Sequence, residues 1–256
     1  MPTALGGCAI ADRLARGAQA VQNAGMSDDA QRFDEALLAG ATRWGMAITR
    51  DQLDRIRAHY LAMLEANRVM NLTRITDPVE AAVKHYLDAM AFLLWADRTH
   101  ARLRTVLDVG TGAGLPAWPL AVMRPDWSVT AIDATRKKIA FLQKTIEMVG
   151  LSNLKAEHAH SQHWSDQRRF DAVLVRAVAS LAKCIRQADR YVKPDGWLAA
   201  YKSETINQQE KENAEETAKE LKFKPARPFR YELHLNDEVI RRSLQLYRSC
   251  LPPTDG

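Results

Sequence analysis

The stretch Arg104-Thr-Val-Leu-Asp-Val-Gly110-Thr-Gly112-Ala-Gly114-Leu-Pro116 decides the fold of this chain. Its first half is a short apolar run of the kind that forms a buried strand. Its second half sets glycines at every second position, where the strand must turn into a helix over residues 115–123. Such a turn needs backbone angles that side chains resist. It also lets a ligand approach the main chain with no Cβ in the way. In open α/β sheets ligands sit outside the carboxyl ends of the strands, which is where this loop lies.

The spacing selects among ligands. Dinucleotide folds use Gly-x-Gly-x-x-Gly and bring a pyrophosphate to the helix N-terminus. Here Asp108 stands two residues before the first glycine. A carboxylate there repels pyrophosphate and attracts an ammonium group. A second carboxylate, Asp133, ends the next predicted strand, about 20 residues past the loop, where a ribose diol is held. An ammonium site beside a ribose site fits S-adenosylmethionine. A nicotinamide site and a purely structural turn are the weaker readings.

Outward from the loop, strands are predicted at 128–133, 153–160, 170–176 and 196–202, with helices at 136–149 and 181–192. Strands alternating with helices of this length make βαβ units and a parallel sheet. Residues 223–233 and 243–250 alternate like strands with no helix between them, and suit an antiparallel pair at the sheet edge. Upstream the texture is helical. Helices are expected to start at Ser27, Thr49 and Asp77-Pro78. Their inward stripes are Phe33, Leu37 and Leu38; then Leu53, Ile56, Tyr60, Leu61 and Leu64; then Val83, Leu87, Met90 and Leu94. The fold class is therefore α/β: a Rossmann-like sheet, mostly parallel with an antiparallel C-terminal edge, plus a helical N-terminal segment. Three units are expected: a mobile extension over 1–28, the helical segment over 29–100 and the ligand-binding core over 101–256.

Composition bounds the function. The chain has 256 residues and a net charge of +5, which suits a nucleic-acid partner. Residues 203–220 carry six Glu against Lys211 and Lys219, so the basic surface concentrates elsewhere. Cys8, Cys184 and Cys250 are scattered, with no metal-binding pattern, and suit a reducing compartment. No run of 18 apolar residues exists, so no membrane span is expected. Asp12, Arg13 and Arg16 interrupt the N-terminus, which reads as no secretory leader. A cytoplasmic monomer is expected, with no metal.

On these motifs the chain resembles the bacterial small-subunit ribosomal RNA guanine-N7 methyltransferases, the GidB/RsmG group. The resemblance runs from about Asn71 to Arg248. It is carried by Asn71-Leu-Thr, by Val83-Lys-His-Tyr-Leu-Asp and by the glycine loop with its Leu115-Pro116 continuation. Arg124-Pro, Arg136-Lys-Lys with Phe141-Leu, Phe170-Asp with Arg176-Ala, and Tyr201-Lys202 complete it. It implies a class I methyltransferase core that moves a methyl group from S-adenosylmethionine to N7 of a guanine in the 530 loop of 16S ribosomal RNA. The small ribosomal subunit is then the partner. It implies that Gly110 and Leu115 line the cofactor site, that Asp133 holds the ribose and that Ser161 and Gln162 meet the adenine. It implies a cofactor-pocket role for Arg176 and RNA-facing roles for Lys202 and Arg242. The adenine loop reads His160-Ser-Gln-His-Trp164, without the acidic residue usual there. A ribosome-assembly or RNA-binding factor on the same frame, or a methyltransferase with another acceptor, are the alternatives.

Guanine N7 already carries a lone pair, so this chemistry needs no general base, and none stands out. Arg176 is the candidate for orienting guanine or cofactor, with Asp108 as its counter-charge. Asn71, as an RNA-facing amide or a turn-former, joins Arg124, Arg136, Lys137, Lys138, Lys202 and Arg242 as RNA-binding candidates. His85 and Asp88 lie one helical turn apart and read as a structural pair rather than metal ligands. Trp118, Trp127, Trp197, Tyr60 and Trp44 read as packing.

Overall fold

A computed structural model describes residues 27–176 and 180–252. Most of the predicted N-terminal extension lies outside these residues. Its last two, Ser27 and Asp28, belong to the first helix. Ser27 caps α1 (Asp28–Arg43), its hydroxyl accepting from the Ala30 amide. Helix α2 (Arg50–Met70) opens on a capping box between Thr49 and Gln52 and ends at Asn71, which takes the left-handed conformation. Asn71 is thus the C-cap of α2, and it is exposed. Asp77 and Pro78 start α3 (Pro78–Ala81), which runs through a π-helical turn (Ala82–Leu87) into α4 (Asp88–Arg98). On α2 the buried face is Leu53, Ile56, His59, Tyr60 and Met63, whereas Leu61 and Leu64 are only partly covered.

Five strands follow, with helices between them except between the third and fourth, as the patterning predicts. They are β1 (Thr105–Val109), β2 (Ser128–Asp133), β3 (Leu154–His158), β4 (Phe170–Val175) and β5 (Val192–Ser203). The helices between them are α5 (Ala117–Met123), α6 (Arg136–Val149) and α7 (Leu181–Ala188). The acidic segment forms α8 (Gln208–Glu220). Strands β6 (Phe223–Pro225), β7 (Phe229–Leu235) and β8 (Glu238–Ser249) close the sheet. The order is β3-β2-β1-β4-β5-β8, parallel through β5 and antiparallel beyond, with β6 and β7 both paired to the far side of β8.

Several predicted elements differ. Helix α7 ends at Ala188 rather than 192, and β5 starts at Val192 rather than 196. The single strand expected over 223–233 is two, because Pro225 and Pro228 have no amide to give the ladder. Between them Ala226 alone bridges to the Leu246 carbonyl, at 2.8 Å. The last strand also starts earlier than expected, because Asn236, at φ 53, turns β7 tightly into β8.

Strand alternation splits the core. One sheet face carries Val106, Ala131, Ala172 and Leu244, and α1, α2, α4, α5 and α6 pack on it with the π-helical turn. The other carries Leu107, Ile132, Val173 and Leu198 under α7 and α8. The helices that precede β1 therefore share a core with the sheet, and this brings α2 against the glycine loop.

Candidate functional site

The loop after β1 is pinned to the end of β2. The amides of Gly110 and Thr111 both donate to the Ile132 carbonyl, at 2.8 and 3.0 Å. Asp133 then reaches back: its carboxylate accepts from the Gly112 amide at 2.9 Å and from Thr135 at 2.7 Å. The two predicted carboxylates thus converge on one loop. Asp108 is fully buried. One of its oxygens accepts from the Thr111 hydroxyl (2.6 Å) and the Ala117 amide (3.1 Å). The other, Oδ1, is buried with no hydrogen-bond partner among the described residues. Burial pushes this carboxyl up to about 6.

The glycines divide the work. Gly112, at φ +61, has open space where a Cβ would stand. Gly114, at φ +100, is packed from within: a Cβ there would lie 2.7 Å from Leu142 Cδ1 and 3.2 Å from His59 Nε2. So Gly112 leaves room outside the fold, while Gly114 makes room for the fold's own side chains. Leu115, next in the chain, is buried.

The segment after β3 joins the same edge, its Ala159 amide donating to the Asp133 carbonyl at 3.1 Å. Ser161 there is buried and its carbonyl accepts from the Tyr191 hydroxyl. Gln162 is exposed, with its carbonyl held by Arg190 at 3.1 Å. Arg136 and Lys137 are exposed and Lys138 half-exposed at the start of α6, three residues beyond Asp133 at the nearest.

Arg176 follows β4 and is only 12% exposed. Its counter-charge is Asp88 rather than Asp108. Arg176 Nε donates to Asp88 at 2.9 Å, and the guanidinium also donates to the Lys84 carbonyl. Asp88, 2% exposed, further accepts from the Tyr231 hydroxyl (2.7 Å) and from Arg242 (3.3 Å). Asp88 and His85 therefore do not pair. The π-helical turn sends His85 to the Thr73 hydroxyl at 2.7 Å, where burial holds it near 4.

The expected RNA-facing cations are not all in one place or equally available. Arg242 is tied to Asp88, and Lys202, at the end of β5, to Glu210 at 2.8 Å. Arg124 lies elsewhere. It pairs with Asp97 and Asp126 and stacks over Trp127 beside the start of β2. Helix α5 has carried it back to the opposite end of the strands, about 17 Å from the loop at ~3.3 Å per strand residue. Trp118, Trp127 and Tyr60 are core. Trp197 and Trp44 are half-buried, the first under Arg248 and the second donating to the Glu232 carbonyl.

His59 is the residue of the site that the sequence reading passed over. It is fully buried between Tyr86 and the Ala113 carbonyl of the loop. The available signal is an imidazole three residues after Ile56 on a buried helix face. Among the described residues no three His, Cys, Asp or Glu cluster to hold a metal, and no helix is long and apolar enough to cross a membrane. Cys184 is buried and Cys250 exposed, while Cys8 lies outside the described residues.

The family model for the rRNA small subunit methyltransferase G proteins, GidB, matches residues 52–234. The ribosomal RNA small subunit methyltransferase G of Thermoanaerobacter pseudethanolicus is 32% identical over 192 residues, covering 73% of this chain and 79% of that protein. That of Thermosynechococcus vestitus is 37% identical over 162 residues, covering 61% and 70%. Among solved structures, the ribosomal protein L11 methylase of Lactobacillus delbrueckii subsp. bulgaricus aligns over 64% of this chain and 77% of that one, at 21% identity and a TM-score of 0.47.

Proposed function

Because the chain belongs to the GidB family of rRNA small subunit methyltransferases, we propose that it transfers a methyl group from S-adenosylmethionine to N7 of a guanine in the 530 loop of 16S ribosomal RNA, acting in the cytoplasm on the small ribosomal subunit. The observation that carries the cofactor is the buried Oδ1 of Asp108, unpartnered among the described residues, at the end of β1 that leads into the loop with the open space at Gly112. An ammonium group satisfies that oxygen. A purely structural turn would leave it stranded, at a cost of about 1–3 kcal/mol. Asp133 has spare lone pairs for the ribose hydroxyls, and the 159–162 segment lies where the adenine would rest.

S-adenosylmethionine supplies an electrophilic methyl group. The protein's part is then positioning, which is worth effective molarities of about 10⁵–10⁸ M in well-oriented systems. No proton leaves guanine N7 before attack, so no base is required. His59 is not one, since burial holds it neutral and both ring nitrogens are engaged. Arg176, steadied by Asp88, orients the guanine or the cofactor at the end of β4. Arg136, Lys137 and Lys138 take RNA phosphates, with Lys202 and Arg242 contributing charge already shared with carboxylates.

Two measurements test this. Small subunits lacking N7-methylguanine should gain label from S-adenosylmethionine on N7 of a single 530-loop guanine. Label elsewhere points to another acceptor, and cofactor binding with no transfer points to an assembly factor. The affinity for S-adenosylhomocysteine should also follow the charge of Asp108. Its raised pKa means the ionised form is the costly one, and an ammonium relieves that cost. Binding is therefore strongest above about pH 6 and weakens below it, by up to about tenfold per pH unit. Asp108→Asn should bind more weakly at pH 8 and lose this pH dependence. An equally steep profile in the variant would remove the ammonium partner.

A further inference from the structure

We propose that His59 is a positioning residue of the glycine loop, holding the Ala113 carbonyl through its Nε2–H and so fixing the loop that binds the cofactor. The inference rests on the reading of that loop as the S-adenosylmethionine site.

The geometry is specific. Nε2 lies 2.7 Å from the Ala113 carbonyl and Nδ1 lies 2.6 Å from the Tyr86 hydroxyl. A carbonyl cannot donate, so Nε2 carries the proton. Nδ1 is then the acceptor and Tyr86 the donor. One neutral tautomer satisfies both partners. Burial supports it by pulling the imidazole down to about 3, outweighing the opposite pull of the Ala113 carbonyl. The ring is stacked on Trp118 at 4.5 Å between centroids and tilted to Phe141 at 6.0 Å, so it has one orientation.

The loop needs such a hold. Ala113 stands between Gly112 and Gly114, both at positive φ. Glycine backbones visit both halves of φ space about equally, so sterics alone do not decide which way the peptide after Ala113 points. The Gly114 and Leu115 amides both fold back to the Thr111 carbonyl, at 2.9 and 3.0 Å, and because the Ala113–Gly114 peptide is planar this aims the Ala113 carbonyl away from that turn, towards α2. The imidazole meets it there, so the one peptide is held at both its amide and its carbonyl. Gly114 lacks the Cβ that would lie 3.2 Å from Nε2, so the third glycine of the motif is the clearance for this contact. The holding residue comes from α2, 54 positions earlier in the chain.

The test uses the full chain with His59→Phe and His59→Gln. Phenylalanine keeps a ring against Trp118 and removes the donor. Glutamine sacrifices the ring and restores an N–H near Nε2. His59→Phe should weaken S-adenosylhomocysteine binding about tenfold and raise KM for S-adenosylmethionine far more than it lowers kcat. His59→Gln should stay within about threefold of wild type, even where its Tm falls further. If the affinities instead follow the Tm values, or if His59→Phe binds like wild type, His59 is only core. Should His59→Phe not fold, ¹⁵N imidazole spectra of the wild-type protein decide. A proton on Nε2 from pH 5 to 8, with a shift on adding S-adenosylhomocysteine, supports the inference, and a titrating ring or the other tautomer overturns it. Failure of the underlying reading is seen separately, as wild-type protein that binds no S-adenosylhomocysteine.

Discussion

Replacing Asp88 by alanine should lower the free energy of unfolding by about 3–5 kcal/mol, the range for removing one partner of a buried ion pair. The carboxylate is 2% exposed and serves three donors: Arg176, Arg242 and the Tyr231 hydroxyl. Arg176 is itself nearly buried, and without Asp88 its guanidinium retains, among the described residues, the Lys84 carbonyl alone. The cost comes less from the lost attraction than from the stranded positive charge. Asp88→Asn keeps the shape and an acceptor, so it should lose less. Urea unfolding with an unchanged m-value is the measurement. A loss below about 1 kcal/mol for Asp88→Ala would mean that water reaches Arg176 and that the cluster is solvated. Methyl transfer should fall along with stability even at temperatures where the variant is folded, because Arg176 would no longer be held at the end of β4.

The two inner glycines should respond very differently to the same added methyl group. At Gly112 the conformation is ordinary left-handed and nothing stands within 4 Å, so Gly112→Ala should cost about 1–2 kcal/mol of stability. At Gly114 the backbone strain is greater, at φ +100, and a Cβ meets Leu142 and His59. Both neighbours are buried and must shift, adding about 1–3 kcal/mol of overpacking. Gly114→Ala should therefore lose about 2–5 kcal/mol and most of its cofactor affinity, since pushing His59 away frees the Ala113 carbonyl. Thermal and urea unfolding of the two variants side by side check this. Equal losses would show that the loop relaxes around Gly114 at no cost.

What the sequence makes legible here is local. The glycine spacing after an apolar run, the carboxylates at 108 and 133, and the alternation of strand and helix are written in neighbouring residues. The convergence of Asp108, Gly112 and Asp133 follows from those patterns. The break between β6 and β7 was legible as well, in Pro225 and Pro228, and a plain alternation count overrides it. The ion pairs were not. Asp88 meets Tyr231 and Arg242 across 143 and 154 positions, and no periodicity marks such partners. Arg124 looks like its fellow cations until the direction of α5 is known. His59 is invisible for a related reason. A helix face identifies which residues turn inward, but which loop they meet depends on how the helices before β1 seat on the sheet.

The place of β8 sets when this protein can begin to work. It lies between β5 on one side and β6 and β7 on the other, yet it is made after all three. While the chain is still being synthesised, β5 shows a bare edge and the two short strands have no neighbour. At about 5–20 residues per second, the twelve residues of β8 take roughly a second or two to appear. Arg242, which shares Asp88 with Arg176, arrives with them. Closing the sheet and completing the arginine cluster therefore both wait on this one strand.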